Sequence, residues 1–400
     1  MCVFLKWRRL TLLKIATSAT LVLSLGFFLA CGSTSAGMSP SSVTSAPPPP
    51  SNAQNVLIAD ASNNRILIFN SPTQNGENAA TVLGQADFTS AVPATTATGL
   101  YSPVGAIADA DGNIWVSDWG GSRILEYKQP ISDGMPASLV IGQTSFTENG
   151  QSASANGLSE PHGIIFDKSG NLWVADSSNN RVLEFVPPFS SGLSASLTLG
   201  QLAFGTNICT QSSSNLCYPT DLAFDASGDL WVVDCNNNRI LEYTPPFTTG
   251  KSAILVIGQI GFNLNSSGSG SNGLNYPWGI AIDSADDVWV SDGLNWRVLK
   301  FSPPFSSGQA ADLVLGFPDF VTTVNSNPQS SLSNPRGLAF DDYGSLYIAN
   351  DLIPRVMVFS PPFTSGMEAT TVIGQPNFTS VGASTTPSGL ADPVGVHLVQ

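Results

Sequence analysis

Apolar residues in this chain come in short alternating bursts, with no long helical stripe. Between Pro161 and Gln201 the bursts GIIFD and NLWVAD flank the turn Asp167-Lys168-Ser169-Gly170. RVLEF follows a second polar turn, Ser177 to Asn180, and SASLTLG follows Pro187-Pro188, which cannot continue a hydrogen-bonded ladder. Four strands joined by hairpins predict one twisted antiparallel sheet. The pattern then repeats without slipping: Pro103, Pro161, Pro219, Pro277, Pro335 and Pro393 are each 58 residues apart, as are Arg65, Arg123, Arg181, Arg239, Arg297 and Arg355. A lone sheet of this kind cannot bury both faces, so equal copies must stack on one another.

Four-stranded units stacked around an axis predict an all-β fold, a β-propeller of four-stranded antiparallel blades. Five blades lie at 103–160, 161–218, 219–276, 277–334 and 335–392. The first copy begins at Asn55 with a second strand, and the chain ends at Pro393 to Gln400 with a first strand alone. Residues 53 to 400 number 348, six times 58, so the sixth blade is predicted to be closed by both termini, which removes open sheet edges. The propeller is thus expected over 55–400, with no room for a second domain.

The N-terminus reads differently. Lys6, Arg8, Arg9 and Lys14 precede the apolar run Ile15 to Ala30, which stops at Cys31-Gly32. Residues 1–30 are expected to be a secretion signal. Phe28-Leu29-Ala30-Cys31 resembles a bacterial lipoprotein signal, which implies cleavage before Cys31 and its acylation; the alternative is an ordinary cleaved signal or an uncleaved anchor. The polar, Pro-rich residues 31–54 would then be a disordered tether. That reading places the propeller in the cell envelope, lipid-anchored, with the outer membrane expected because Gly32 carries no acidic group.

Charge narrows the partners. Loss of residues 1–30 leaves eleven Lys and Arg against 29 Asp and Glu, a net charge of −18, and six of the eleven are the repeat arginines. Only Lys128, Lys168, Lys251, Lys300 and Arg336 remain, too few for the basic stripe that nucleic acid requires. An oxidising envelope favours a disulfide among Cys209, Cys217 and Cys235. Cys209 and Cys217, eight apart in one loop, are the favoured pair, and Cys217 with Cys235 is the alternative.

The unit Pro-x-Gly-apolar-x-apolar-Asp-x-x-Gly-x-Leu-Trp-Val-x-Asp-x-x-Asn-x-Arg-Val-Leu-x-Phe resembles the NHL repeat over nearly the whole mature chain. The resemblance implies a six-bladed propeller and a family of mixed function, including peptide-amidating lyases, bacterial sensor domains and RNA- or protein-binding domains. Trp115, Trp173, Trp231, Trp289 and Tyr347, with Leu57 at the equivalent place, read as wedges between blades. Asp60, Asp118, Asp176, Asp234 and Asp292, with Asn350 in the remaining copy, precede the repeat arginines by five residues and should bond to them across the turn. Groups repeated in every blade are scaffold, because a catalytic site needs different groups converging once.

Amidating lyases hold a metal with several histidines, whereas this chain has only His162 and His397, at different repeat positions. No catalytic residues are assigned. Lactonase-like propellers bind calcium on the axis through Asp, Asn and Glu, so an axial divalent cation stays open, and Asp221, which replaces a repeat glycine, is its one suggestive residue. Function is therefore sought where copies diverge. The long fourth-to-first-strand loops, such as Thr144 to Glu160 and Ile260 to Tyr276, share one end of the propeller with the second-to-third-strand turns. On that face Trp278, Trp296, Tyr276, Tyr218 and Trp119 break the repeat, and Trp278 with Trp296 is the expected hot spot, with Arg336 as an anion contact. The alternative is that these rings pack the bases of the loops. The expected function is a monomeric, non-enzymatic module that binds a protein, peptide or glycan; the alternative is a metal-dependent hydrolase or lyase.

Overall fold

The computed structural model describes residues 54–399; the signal, Cys31 and tether readings lie outside the described residues. Six four-stranded antiparallel sheets form the six-bladed propeller. In the 161–218 blade the strands are Pro161–Phe166, Leu172–Asp176, Arg181–Phe185 and Leu197–Leu199, and the other blades follow at the 58-residue period. The first hairpin closes where the alternation predicts, pairing Phe166 with Leu172. Asp167 holds this turn: its carboxylate accepts the N–H groups of Ser169 (2.8 Å) and Asn171 (3.0 Å), while Gly170 takes φ +79°, a backbone region that side chains disfavour.

The last blade is closed by both termini. Pro393–Val399 pairs antiparallel with Asn55–Asp60, from Asn55 opposite Val399 to Ile58 opposite Val396. The strands that open each blade touch their counterparts in both neighbouring blades, making an unbroken inner ring. Glycine follows the opening Pro-x in five of the six because neighbouring strands approach closely there. A Cβ at Gly279 would lie 2.3 Å from the Arg336 carbonyl oxygen, and one at Gly395 would lie 2.5 Å from that of Val104.

The core lies between blades. One cluster joins Trp115, Ile124 and Ile141 of one blade to Ile164, Leu172 and Val174 of the next. Trp115, 1% exposed, meets Phe166 and Phe189 edge-on at 5.6 and 4.9 Å. Its indole N–H donates to Asp109 Oδ2 at 2.9 Å, and Trp173, Trp231 and Trp289 repeat the bond with Asp167, Asp225 and Asp283. The aspartate of the first turn thus satisfies the one polar atom of the buried ring, which otherwise would cost about 1–3 kcal/mol.

The Asp–Arg pairs form as the spacing predicts and do more than close a turn. Nε of Arg65, Arg123, Arg181, Arg239 and Arg297 donates to the aspartate five residues earlier at 2.7–2.9 Å. The remaining guanidinium nitrogens reach into the long loops. Arg123 donates to the carbonyls of Phe146, Thr96 and Gly99, and Arg181 to those of Ala153, Ser154 and Gly157. The other oxygen of Asp118, Asp176, Asp234 and Asp292 accepts the N–H of the residue 17 positions earlier, for example Ser159 on Asp176 at 2.6 Å, and that of Asp60 accepts the Ala391 N–H across the closing blade. Each pair therefore staples the loop face to the blade from inside. In the 335–392 blade Asn350 replaces the acid, and Arg355 Nε and Asn350 Nδ2 are buried without partners among the described residues.

Candidate functional site

The inner ring encloses an axial cavity of about 290 Å³. The residue after each blade-opening proline forms a column around it: Val104, His162, Thr220, Trp278, Arg336 and Val394. All but Arg336 line the cavity, and Arg336 stacks on Trp278 with Cζ 3.8 Å from the ring centroid. At this mouth the aromatic residues gather around His162, whose ring centroid lies 6.4 Å from Trp119, 5.3 Å from Tyr218 and 5.2 Å from Trp278. Tyr276 meets Trp278 at 5.8 Å. Five of the six sequence-predicted residues are thereby brought into one cluster, with His162 at its centre.

Local backbone explains the placement. Tyr218 and Tyr276 precede the opening prolines in left-handed conformation, with φ of 57° and 55°. Their N–H groups are held by Asn180 Oδ1 (2.8 Å) and Asn238 Oδ1 (2.7 Å) from the neighbouring blade's turn. The Cys209–Cys217 disulfide braces the loop immediately before Tyr218. Cys235 is a free, buried thiol that meets the Tyr276 hydroxyl, and burial pushes it well above the usual thiol range.

His162 Nδ1 lies 2.8 Å from Ser177 Oγ and 3.1 Å from the Glu160 carbonyl. Ser177 donates its own proton to the Pro219 carbonyl at 2.5 Å, so Nδ1 carries the hydrogen and Nε2 is the acceptor. Burial, with a smaller push from Arg336, lowers the imidazole to about 3, so the ring is neutral at physiological pH.

Arg336 is fixed by Asp351, with Nη2 at 2.5 Å and Nε at 3.1 Å from one carboxylate oxygen; its Nη1 has no hydrogen-bond partner among the described residues. Asp351 lies beside Asp392, from the strand-opening end of the closing blade. Burial and then the Asp351 charge push Asp392 up to about 8, so Asp392 holds a proton that it shares with Asp351. Ser62 bonds the other side of Asp392 at 3.2 Å. Asp392 lies two residues before Val394 of the cavity column, and Asp351, just after the second strand Leu346–Asn350, is tied to Arg336 of that column.

Trp296 corrects the hot-spot expectation, because it does not join Trp278. It ends its turn at φ 56°, is 47% exposed, and lines a separate groove with Leu294, Phe317, Phe320 and Val321. Phe317 explains the local difference. It stands where five blades have a glutamine whose amide ties the turn to the loop, as Gln259 does to the Asn238 and Ser266 carbonyls at 3.0 and 2.8 Å.

Asp221 lines the cavity, but both its oxygens accept backbone N–H groups, Leu222 at 2.9 Å and Ile280 at 3.0 Å, which bridges two inner strands. Burial raises it to about 7. His397 also lines the cavity, and burial lowers it to about 4. Among the described residues no three His, Cys, Asp or Glu side chains converge on the axis. His162 was legible in principle: it shares a repeat column with Trp278 and Arg336, and a column in a propeller becomes a ring.

The NHL repeat family matches three segments, residues 158–185, 216–243 and 274–301. The chain carries NHL repeats on a six-bladed propeller. It is 28% identical over 231 residues to rat "Peptidylglycine alpha-amidating monooxygenase", which covers 54% of this chain and 22% of the rat protein. It is 28% identical over 188 residues to human "NHL repeat-containing protein 3", covering 44% of this chain and 48% of the human one. The matched region thus spans about a fifth and about half of these relatives. Among solved structures, a protein of unknown function from Bacteroides caccae superimposes with a TM-score of 0.52 at 12% identity, covering 87% of this chain and all of that one, a likeness of fold alone.

Proposed function

We propose that this propeller is a non-enzymatic binding module that takes an exposed ring or side chain of a protein, peptide or glycan into the axial mouth. The observation that carries the reading is the convergence of Trp119, His162, Tyr218, Tyr276 and Trp278 with Arg336, from neighbouring blades, on one opening. Rigid aromatic walls provide contact area at low entropic cost, and the stacked guanidinium presents Nη1 to a carboxylate, carbonyl or hydroxyl of the ligand. A cavity of about 290 Å³ admits one sugar unit or one side chain, so the rest of the ligand lies over the long loops. The protein acts as a monomer tethered to the envelope through Cys31, and its charge directs it away from nucleic acid.

The test is a screen of glycans and envelope proteins followed by substitution. Trp278→Ala should weaken binding by at least about 30-fold, the size of a hot-spot loss. Trp296→Ala should leave it within about threefold, since that ring lines another groove. Undiminished affinity of Trp278→Ala in a domain that melts normally overturns the proposal.

A second reading, hydrolase or lyase, draws on the Asp351–Asp392 pair, a protonated carboxyl beside a charged one at the same mouth. Similarity to the amidating monooxygenase over 54% of the chain supports it. Turnover of the identified ligand, lost in Asp392→Asn while binding persists, would favour it over pure binding.

A further inference from the structure

The far end of the 219–276 blade, opposite the loop face, carries a second group of side chains. Asp225 follows the opening strand Pro219–Phe224, Asp229 precedes the second strand Leu230–Asp234, and Glu242 lies on the third, opposite Trp231. One oxygen from each carboxylate lies within 4.8 Å of the other two.

The sister blades show what normally occupies these positions. In the 103–160 blade Asn113 Nδ2 donates to Asp109 at 2.9 Å, and Ser138 donates to Glu126 at 2.7 Å. In the 161–218 blade Asn171 Nδ2 bridges Asp167 (2.8 Å) and Glu184 (3.2 Å), and Ser196 caps the glutamate. In the 277–334 blade Lys300 neutralises Asp287 at 2.5 Å. Every one of those donors is missing here. Asp229 stands in place of the asparagine, Ile254 in place of the serine, and Glu242 faces two aspartates with no lysine among them.

Glu242 is nine-tenths buried, yet among the described residues its carboxylate has no hydrogen bond or ion pair. The nearby cations do not supply one: Lys251 donates to the Pro246 carbonyl at 2.8 Å and Lys168 to the Ala226 carbonyl at 2.7 Å. Asp225 is already oriented, accepting the Trp231 indole N–H at 3.0 Å and the Asp229 N–H at 2.9 Å, and each of its oxygens keeps a lone pair. Three converging carboxylates, of which Asp225 alone accepts donors and keeps lone pairs free, at positions that elsewhere hold a matched set of acids and donors, lack only a positive centre.

We propose that Asp225, Asp229 and Glu242 bind one divalent, oxygen-preferring cation, calcium, which takes the place of the amide, hydroxyl and ammonium donors of the sister blades and clamps the first turn to the third strand. Oxygens bound to calcium at about 2.3–2.6 Å can stand up to about 5 Å apart, so a set within 4.8 Å fits, and three protein carboxylates suit calcium better than magnesium, which keeps several waters and is held by one or two carboxylates.

The experiment uses the whole chain stripped with a chelator, titrated with calcium and separately with magnesium by calorimetry, and melted with and without each ion. Wild type should take up one calcium per chain and melt about 4–6 °C higher at an ion concentration 100 to 1,000 times the dissociation constant. Asp229→Asn, which restores the arrangement of the two asparagine-bearing blades, should melt at or above the stripped wild type and lose the calcium response; Glu242→Gln should lose it as well. Absence of stoichiometric calcium uptake, or uptake unchanged in both variants, overturns the site. Magnesium binding as tight as calcium overturns the assignment of the ion.

Discussion

Asn350→Asp should stabilise this protein. Arg355 is as buried as its five counterparts, at 1% exposure, and donates from its terminal nitrogens to the Phe378 and Ser331 carbonyls at 2.7 and 3.0 Å. Its Nε, however, points at an amide in place of a carboxylate and has no partner, and burial lowers the guanidinium to about 10. The desolvation of the arginine is already incurred, so an aspartate here adds attraction against the cost of burying one carboxylate alone. Removing one member of a buried ion pair typically costs about 3–5 kcal/mol, and the entering carboxylate takes back part of that in desolvation. A hydrogen bond to a charged group contributes about 1.5–3 kcal/mol, so the net gain should be about 1–3 kcal/mol. At the usual unfolding entropy per residue, a domain of this size should melt about 1–4 °C higher. The same oxygen that now accepts the Ser333 N–H at 3.1 Å is retained. Differential scanning calorimetry of the variant, beside the converse Asp234→Asn in an intact blade, gives the comparison. A lowered melting point in Asn350→Asp, or an unchanged one in Asp234→Asn, would refute the view that these pairs stabilise the blades.

Two further outcomes follow from groups at the ends of the chain. Asp392, raised from 3.8 to about 8, contributes stability that is full below about pH 4 and lost as pH rises through 8, so the wild type should lose on the order of 2 kcal/mol between pH 6.5 and pH 9. Asp392→Asn should keep only the smaller slope from Asp221 and Glu242, each raised to about 7. The histidines, lowered to about 3 and 4, act in the opposite sense and below pH 6.5, outside the window. Urea denaturation at each pH reads this directly, and an identical slope in the variant would contradict it. Cys31→Ser should shift the protein out of the membrane fraction and remove a lipid-sized increment from its mass, and unchanged fractionation and mass would count against acylation.

The fold was legible because a propeller repeats its constraints. A 58-residue period, a first copy that starts at its second strand, a last strand that stands alone and alternating apolar positions together leave one closed arrangement. The Asp–Arg bond across the turn could be read from spacing alone, but the wider reach of the arginines could not, since their other partners are main-chain oxygens that no side-chain identity marks. At the site, Trp119, Tyr218, Tyr276, Trp278 and Arg336 were readable as residues that break the repeat. Trp296 breaks it too, but its left-handed turn and the Phe317 substitution direct it into another groove. Asp351 and Asp392 carry no pattern along the chain. They stand at the repeat positions where Cys235 meets Tyr276, so the repeat itself brings them together, but those positions carry different residues in the other copies.

The arginine staples have a consequence for how such a surface can change. A guanidinium that grips carbonyl oxygens is indifferent to the side chains those residues carry. Thr96, Ser154, Ser212 and Gly270 stand at the same distance before their arginines with different side chains, while their carbonyls fill the same role. Any loop that keeps its main-chain path can therefore be exchanged without a new anchor having to arise, and the recognition face can drift residue by residue over a frame that stays the same.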